Sequence, residues 1–165
     1  MLKARLMVVE DEGLVALQIK EGLENLGYDV PVVTSSGEEA LKSLAQNEID
    51  LVIMDIRLKG GMSGIEAARH IIGRLDIPIV YLTAYSDEDT INQARDTEPF
   101  GYVLKPFDER SLHAAVQMAL RKSKNQQKLR GSRDWLSSII RSMAEALIIS
   151  DIKGQVKYLN PAAET

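Results

Sequence analysis

Three carboxylates, a hydroxyl and an amine in this chain are spaced so that they could work on one substrate. Glu10 and Asp11 follow the apolar run Leu6–Val9, and Asp55 follows Leu51–Met54. Thr83 and Ala84 follow Ile79–Leu82, and Lys105-Pro106 follows Tyr102–Leu104. Carboxylates packed together repel and raise one another's pKa unless a cation neutralises them. A hard divalent ion is therefore implied. Magnesium suits a site of two or three acids that stays open for water and a phosphate oxygen. Asp55 would then be the nucleophile, attacking phosphorus to give an aspartyl phosphate. Lys105 would place a point charge on one phosphoryl oxygen and the Thr83 hydroxyl would donate to another, so that charge developing during transfer meets fixed groups. Ala84 is small where bulk would obstruct phosphate access.

The elements that must hold these residues can be read from periodicity. Short β-branched runs alternate with amphipathic stretches: 6–9 then 14–26, 29–33 then 37–45, 51–54 then 64–75, 79–82 then 87–95, and 102–104 then a helix from near Asp108 to at least Arg121. Five strand–helix units whose strands are apolar on both faces imply a doubly wound α/β fold, a five-stranded parallel sheet covered by helices on each side. Ligands of such sheets bind beyond the carboxyl ends of the strands, where the five reactive residues stand. Gly27 and Gly73 are expected to end helices, and Ser36 and Asp108 to begin them. Taken singly, each candidate has a plainer role: a solvated loop for Glu10-Asp11, a strand-end cap for Asp55, a helix-entry hydroxyl for Thr83, a surface charge for Lys105. Their placement at four strand ends of one pattern favours the joint reading.

Ordered motifs carry a resemblance to a known family. Val8-Val9-Glu10-Asp11-Glu12, Leu51-Val52-Ile53-Met54-Asp55-Ile56-Arg57-Leu58, Tyr81-Leu82-Thr83-Ala84-Tyr85 and Gly101-Tyr102-Val103-Leu104-Lys105-Pro106-Phe107 resemble response-regulator receiver domains, the chemotaxis-type module of two-component signalling. The match spans about residues 4 to 121. It implies the flavodoxin-like (βα)5 fold, with Mg2+ held by Glu10, Asp11, Asp55 and the main-chain carbonyl of Arg57. It further implies a cis peptide bond before Pro106 and Lys105 aimed into the site. The donor would be a phosphohistidine on a histidine kinase or a histidine phosphotransfer domain. In the family the hydroxyl at the Thr83 position moves toward the phosphoryl group and the aromatic at the Tyr102 position swings inward. The two states would differ at the face of the fourth helix, fifth strand and fifth helix, a surface through which two copies could pair. One departure stands out. Where many receivers have Met-Pro, the run Leu58 to Gly64 has no proline and is one residue longer, which predicts a more mobile loop. His70 and His113 are expected to be ordinary helical residues.

The 165 residues, 45% hydrophobic with a net charge of −4, suffice for one ordinary domain and an appendage. No apolar run approaches the roughly 18 to 20 residues of a membrane span, and the start lacks a secretory hydrophobic region. A cytoplasmic protein without a membrane or direct nucleic-acid role is expected. Six cations from Arg121 to Arg133 precede the next acid, Asp134. They could form a nucleic-acid arm, but Leu129, Leu136, Ile140, Met143 and Leu147 at seam spacing favour a helical linker that pairs with a second copy. Lys122, Gln126, Gly131 and Arg133 weaken that seam. Residues 135–165 read as a helix, a strand, a Gly turn, a strand and a helix start, and resemble the opening of a PAS sensory domain, including Asn160-Pro161-Ala162-Ala163. The expected organisation is thus a receiver at 1–122, a basic linker at 123–134 and a truncated PAS-like segment at 135–165, frayed or packed on another copy. Two alternatives compete. A haloacid-dehalogenase-type phosphatase would need a second Asp where Arg57 stands, and a flavodoxin-like cofactor binder would need a glycine- and hydroxyl-rich first loop instead of Glu10-Asp11. A docking module that is never phosphorylated is the third. The receiver itself would not be a turnover enzyme.

Overall fold

In the computed structural model, which describes residues 3–84, 93–143 and 145–163, five parallel strands form one sheet in the order β2-β1-β3-β4-β5. They are β1 (Arg5–Val9), β2 (Asp29–Thr34), β3 (Leu51–Asp55), β4 (Ile79–Ala84) and β5 (Gly101–Lys105). Helices α1 (Gly13–Asn25), α2 (Gly37–Leu44) and α3 (Gly64–Leu75) connect them, and a long helix, Glu109–Ser142, follows β5. Of the helix expected over 87–95, residues 93–95 are helical and the remainder lies outside the described residues.

Alternation along the strands divides the core into two layers. Met7, Val9, Val52, Met54, Ile79 and Tyr81 pack with Ala40 and Leu44 of α2 and with Ala67, Ala68 and Ile71 of α3. Their strand neighbours Leu6, Val8, Leu51, Ile53, Val80, Leu82 and Val103 pack with Ile19 and Leu23 of α1 and with Leu112, Val116 and Ala119 of the long helix. Strand β3 is buried along its whole length, as a central parallel strand covered on both faces must be. Each large aliphatic side chain so buried contributes about 1.5 to 3 kcal/mol.

Local chemistry sets where the helices begin. The Ser36 hydroxyl accepts the Glu39 amide at 3.3 Å, and Ser63 and Glu66 form a reciprocal capping box at the head of α3. The Asp108 carboxylate accepts the Ser111 amide at 2.7 Å in the first turn of the long helix, and this bond holds its pKa below the usual range. Gly27 takes φ +91° just after α1, as its position predicts. Gly73 does not end its helix. The backbone continues to Leu75, and Asp76 adopts the left-handed conformation at φ 54°. Asp is one of the few residues that tolerates this region, so a glycine was not needed there. Gly131 does not interrupt the long helix either.

The chain divides into two compact units, Met1–Ser123 and Lys124–Thr165. In the second, β6 (Ile148–Ser150) and β7 (Val156–Leu159) form an antiparallel hairpin followed by a 3-10 turn, Pro161–Ala163. Gly154 supplies the positive φ of the turn, and the Asp151 carboxylate accepts the amides of Lys153 and Gln155. Asn160 is fully buried. Its carbonyl oxygen accepts the Leu147 and Ala163 amides, while its amino group donates to the carbonyls of Ile140 and Glu145. Among the described residues, no helix is long and apolar enough to cross a membrane.

Candidate functional site

Each reactive residue stands where its strand runs out. Asp55 is the last residue of β3 and Lys105 the last of β5, Thr83 and Ala84 close β4, and Glu10 and Asp11 follow β1 directly. The parallel register aligns these ends, pairing Asp55 with Leu82 and Ala84 with Lys105. The result is an open pocket of about 400 Å³ lined by Asp11, Asp55, Arg57, Thr83, Ala84 and Lys105, among others.

Glu10, Asp11 and Asp55 each place a carboxylate oxygen within 4.8 Å of the others. Oxygen donors so grouped, beside an open pocket, fit a hard divalent cation. Two amines meet these acids. The Lys105 amine donates to Glu10 at 2.5 Å and to Asp55 at 2.6 Å, and Lys59 lies 2.9 Å from the Asp11 carboxylate. Burial pushes the Glu10 carboxyl above its ordinary value and the Asp55 charge adds to this, while the Lys105 hydrogen bond opposes both without reversing them. For Lys105, burial works against the charge, yet its hydrogen bonds to Asp55 and Glu10 hold the ammonium above the ordinary lysine value. The site is thus a charged network whose acids outnumber the amines that meet them.

The loop after β3 is tied down. The Arg57 amide donates to Asp55 Oδ1 at 3.0 Å, which fixes one carboxylate oxygen. Gly64 returns the chain so closely that a Cβ there would stand 1.9 Å from the Asp55 carbonyl oxygen, and the Gly64 amide donates to the Ile56 carbonyl. The Lys105-Pro106 peptide bond is cis. The Thr83 side chain is buried and its hydroxyl donates to the Ala84 carbonyl at 3.3 Å. Tyr102 lies outside the pocket lining, half-buried, with its ring 5.8 Å from that of Tyr81. Sequence reasoning had no signal for Lys59, whose role depends on a fold-back of the loop. Gly64 carried one in principle, as a glycine directly after a capping serine. Tyr85 of the third motif lies outside the described residues.

A family model of the response regulator receiver domain matches residues 6–117. The transcriptional regulatory protein PdtaR of Mycobacterium tuberculosis is 35% identical over 116 residues, covering 70% of this chain and 56% of that protein. The chain spans about half the length of the curated relatives it matches. Among solved structures, the signal receiver domain of a modulated diguanylate cyclase from Desulfovibrio desulfuricans is 35% identical, with a TM-score of 0.72, over 75% of this chain and 98% of that one. The N-terminal domain of a response regulator/sensory box/GGDEF protein from Carboxydothermus hydrogenoformans is 32% identical, with a TM-score of 0.69, over 74% of this chain and 98% of that one. The family model spans the strands whose ends build the acidic pocket, and the chain belongs to the response regulator receiver domain family.

Proposed function

We propose that Asp55 is the phosphoacceptor of a two-component phosphorelay. The observation that carries this reading is a carboxylate lining an open pocket, grouped with two further acids and bridged to one of them, Glu10, by the Lys105 ammonium. The other Asp55 oxygen is held by the Arg57 amide. An Asp55 oxygen attacks the phosphorus of a phosphohistidine on a histidine kinase or phosphotransfer domain. The oxygen–phosphorus bond forms, the phosphorus–nitrogen bond breaks, and the imidazole leaves with the electron pair and takes a proton. Lys105 shifts its charge onto a phosphoryl oxygen, and the Thr83 hydroxyl turns from the Ala84 carbonyl toward another. Ala84 leaves the approach clear. Glu10, Asp11, Asp55 and the Arg57 carbonyl would hold Mg2+, and that ion supplies the positive charge that lets an anionic donor approach three acids.

Phosphorylation then biases a local two-state element, with Thr83 moving toward the phosphoryl group and the inward position of Tyr102 favoured. The output lies beyond residue 122, through the basic linker at 123–134 to a PAS-like segment at 135–165. The Carboxydothermus protein, a receiver joined to a sensory box, supports this order. Seam positions Leu129, Leu136 and Ile140 of the long helix provide a surface for pairing two copies, and the protein works in the cytoplasm, where such donors reside. A phosphatase of the haloacid-dehalogenase kind is disfavoured because Arg57, not a second acid, stands two residues beyond Asp55.

Incubation with Mg2+ and acetyl phosphate should give a phosphoryl adduct by mass that disappears in Asp55→Asn. A folded chain that forms no adduct, and whose spectra ignore Mg2+ and beryllofluoride, would instead be a docking module.

A further inference from the structure

The middle of β4 carries a polar relay that the phosphoacceptor chemistry does not use. Tyr81 is fully buried, and its hydroxyl lies 3.0 Å from Thr97 Oγ1. Thr97, also buried, uses its one hydroxyl proton on the Ala94 carbonyl at 2.6 Å. Tyr81 must therefore donate to Thr97, because a hydroxyl has a single proton to give. The chain of bonds runs from the sheet, through Thr97, to a carbonyl of the short helical stretch 93–95. Serial hydrogen bonds in a dry interior reinforce one another.

The Tyr81 ring also packs beside Tyr102, with centroids 5.8 Å apart and planes tilted by 33°. The Tyr102 hydroxyl oxygen is buried and finds no hydrogen-bond partner among the described residues. A buried hydroxyl without a partner is penalised. An inward ring with an orphaned hydroxyl stays in place only if neighbouring structure holds it there. The relay supplies such a hold, because it fastens the 93–97 turn to the strand whose tyrosine backs the Tyr102 ring.

We infer that Tyr81 is a positioning residue: its hydrogen bond to Thr97 latches the 93–97 turn onto β4 and so keeps Tyr102 in its inward position. The inference rests on the reading of Tyr102 as a switch residue only for its effect on activation, not for the latch itself. Cutting the bond leaves the orphaned hydroxyl uncompensated, and the Tyr102 ring moves toward solvent. If inward Tyr102 belongs to the activated state, activation becomes harder.

The test uses the full chain with a fluorinated tyrosine at position 102 and follows its fluorine resonance. Thr97→Val and Tyr81→Phe remove the bond while retaining shape, with circular dichroism as the check on folding. Without any activator, both variants should shift the resonance in the same direction, toward a more solvent-exposed environment. The double variant should shift it no further than either single one, since all three lose the same bond. An unshifted resonance in folded variants, or additive shifts, overturns the latch. In the second arm, Mg2+ and beryllofluoride are titrated in. Losing one hydrogen bond should raise the beryllofluoride concentration at half-response by about fivefold. A latch intact in the first arm with no response of the unmodified chain in the second would refute the phosphoacceptor reading alone. Equal midpoints in all chains would overturn the claimed link between latch and activation.

Discussion

The two compact units of this chain bury their apolar residues very differently. In the first, every residue from Leu6 to Val9 and from Leu51 to Met54 is inaccessible to solvent. In the second, Trp135 is 63% exposed, Ile148 60% and Ile152 fully so, and Asn160 is the buried residue among those described. Both units have regular hydrogen-bonded backbone. What separates them is the covering layer, since a hairpin gains little from its ladder until its faces are packed. The first unit is therefore held by its core, and the second by local bonds from Asp151 and Asn160.

Paired substitutions sharpen that contrast. Gly64→Ala forces a side chain into the Asp55 carbonyl and should cost about 4 kcal/mol or more in urea unfolding, taking the acidic pocket with it. Gly131→Ala, with nothing near its Cβ in the long helix, should raise helical stability by up to about 1 kcal/mol. Ile53→Ala in β3 should cost about 3 kcal/mol, whereas Ile149→Ala in β6 should stay within about 0.5 kcal/mol; equal losses would break the distinction between the units.

A smaller effect is expected at high pH. Burial raises the Tyr81 phenol to about 12, so the unfolded chain loses this proton near pH 10 while the native chain retains it. The contribution is complete below pH 10 and is lost as pH rises toward 12, up to about 3 kcal/mol in all. Tyrosinate absorbance should rise together with unfolding of the first unit. Smallest of all, Lys59→Ala removes the exposed partner of Asp11 and should strengthen Mg2+ binding by about two- to threefold at low salt, less at high salt. An unchanged or weaker affinity would mean that Lys59 does not compete for the acids.

The sheet and the ends of its strands were legible because charge interrupts apolar runs at Glu10, Asp55 and Lys105, and parallel strands align their ends. The long helix was only partly legible. Gly131 looked like an interruption, but a single glycine costs about 1 kcal/mol in a helix, too little to break one of 34 residues. The loop from Leu58 to Gly64 was legible only as lacking a proline; that Ser63 caps α3 and the Gly64 amide bonds the Ile56 carbonyl is visible in the structure alone. Contacts such as Lys59 with Asp11 or Tyr81 with Thr97 have no period along the chain, so no pattern announces them.

Asn160 bears on how the second unit ages. An asparagine side chain deamidates when the next backbone nitrogen attacks its carbonyl to close a five-membered imide. The product here would be a carboxylate facing the Ile140 and Glu145 carbonyls, where the amino group now donates. The next residue is Pro161, whose nitrogen carries no hydrogen and is closed in a ring, so that attack cannot yield the imide. The residue on which the hairpin most depends is followed by the one residue that spares it this slow chemical decay.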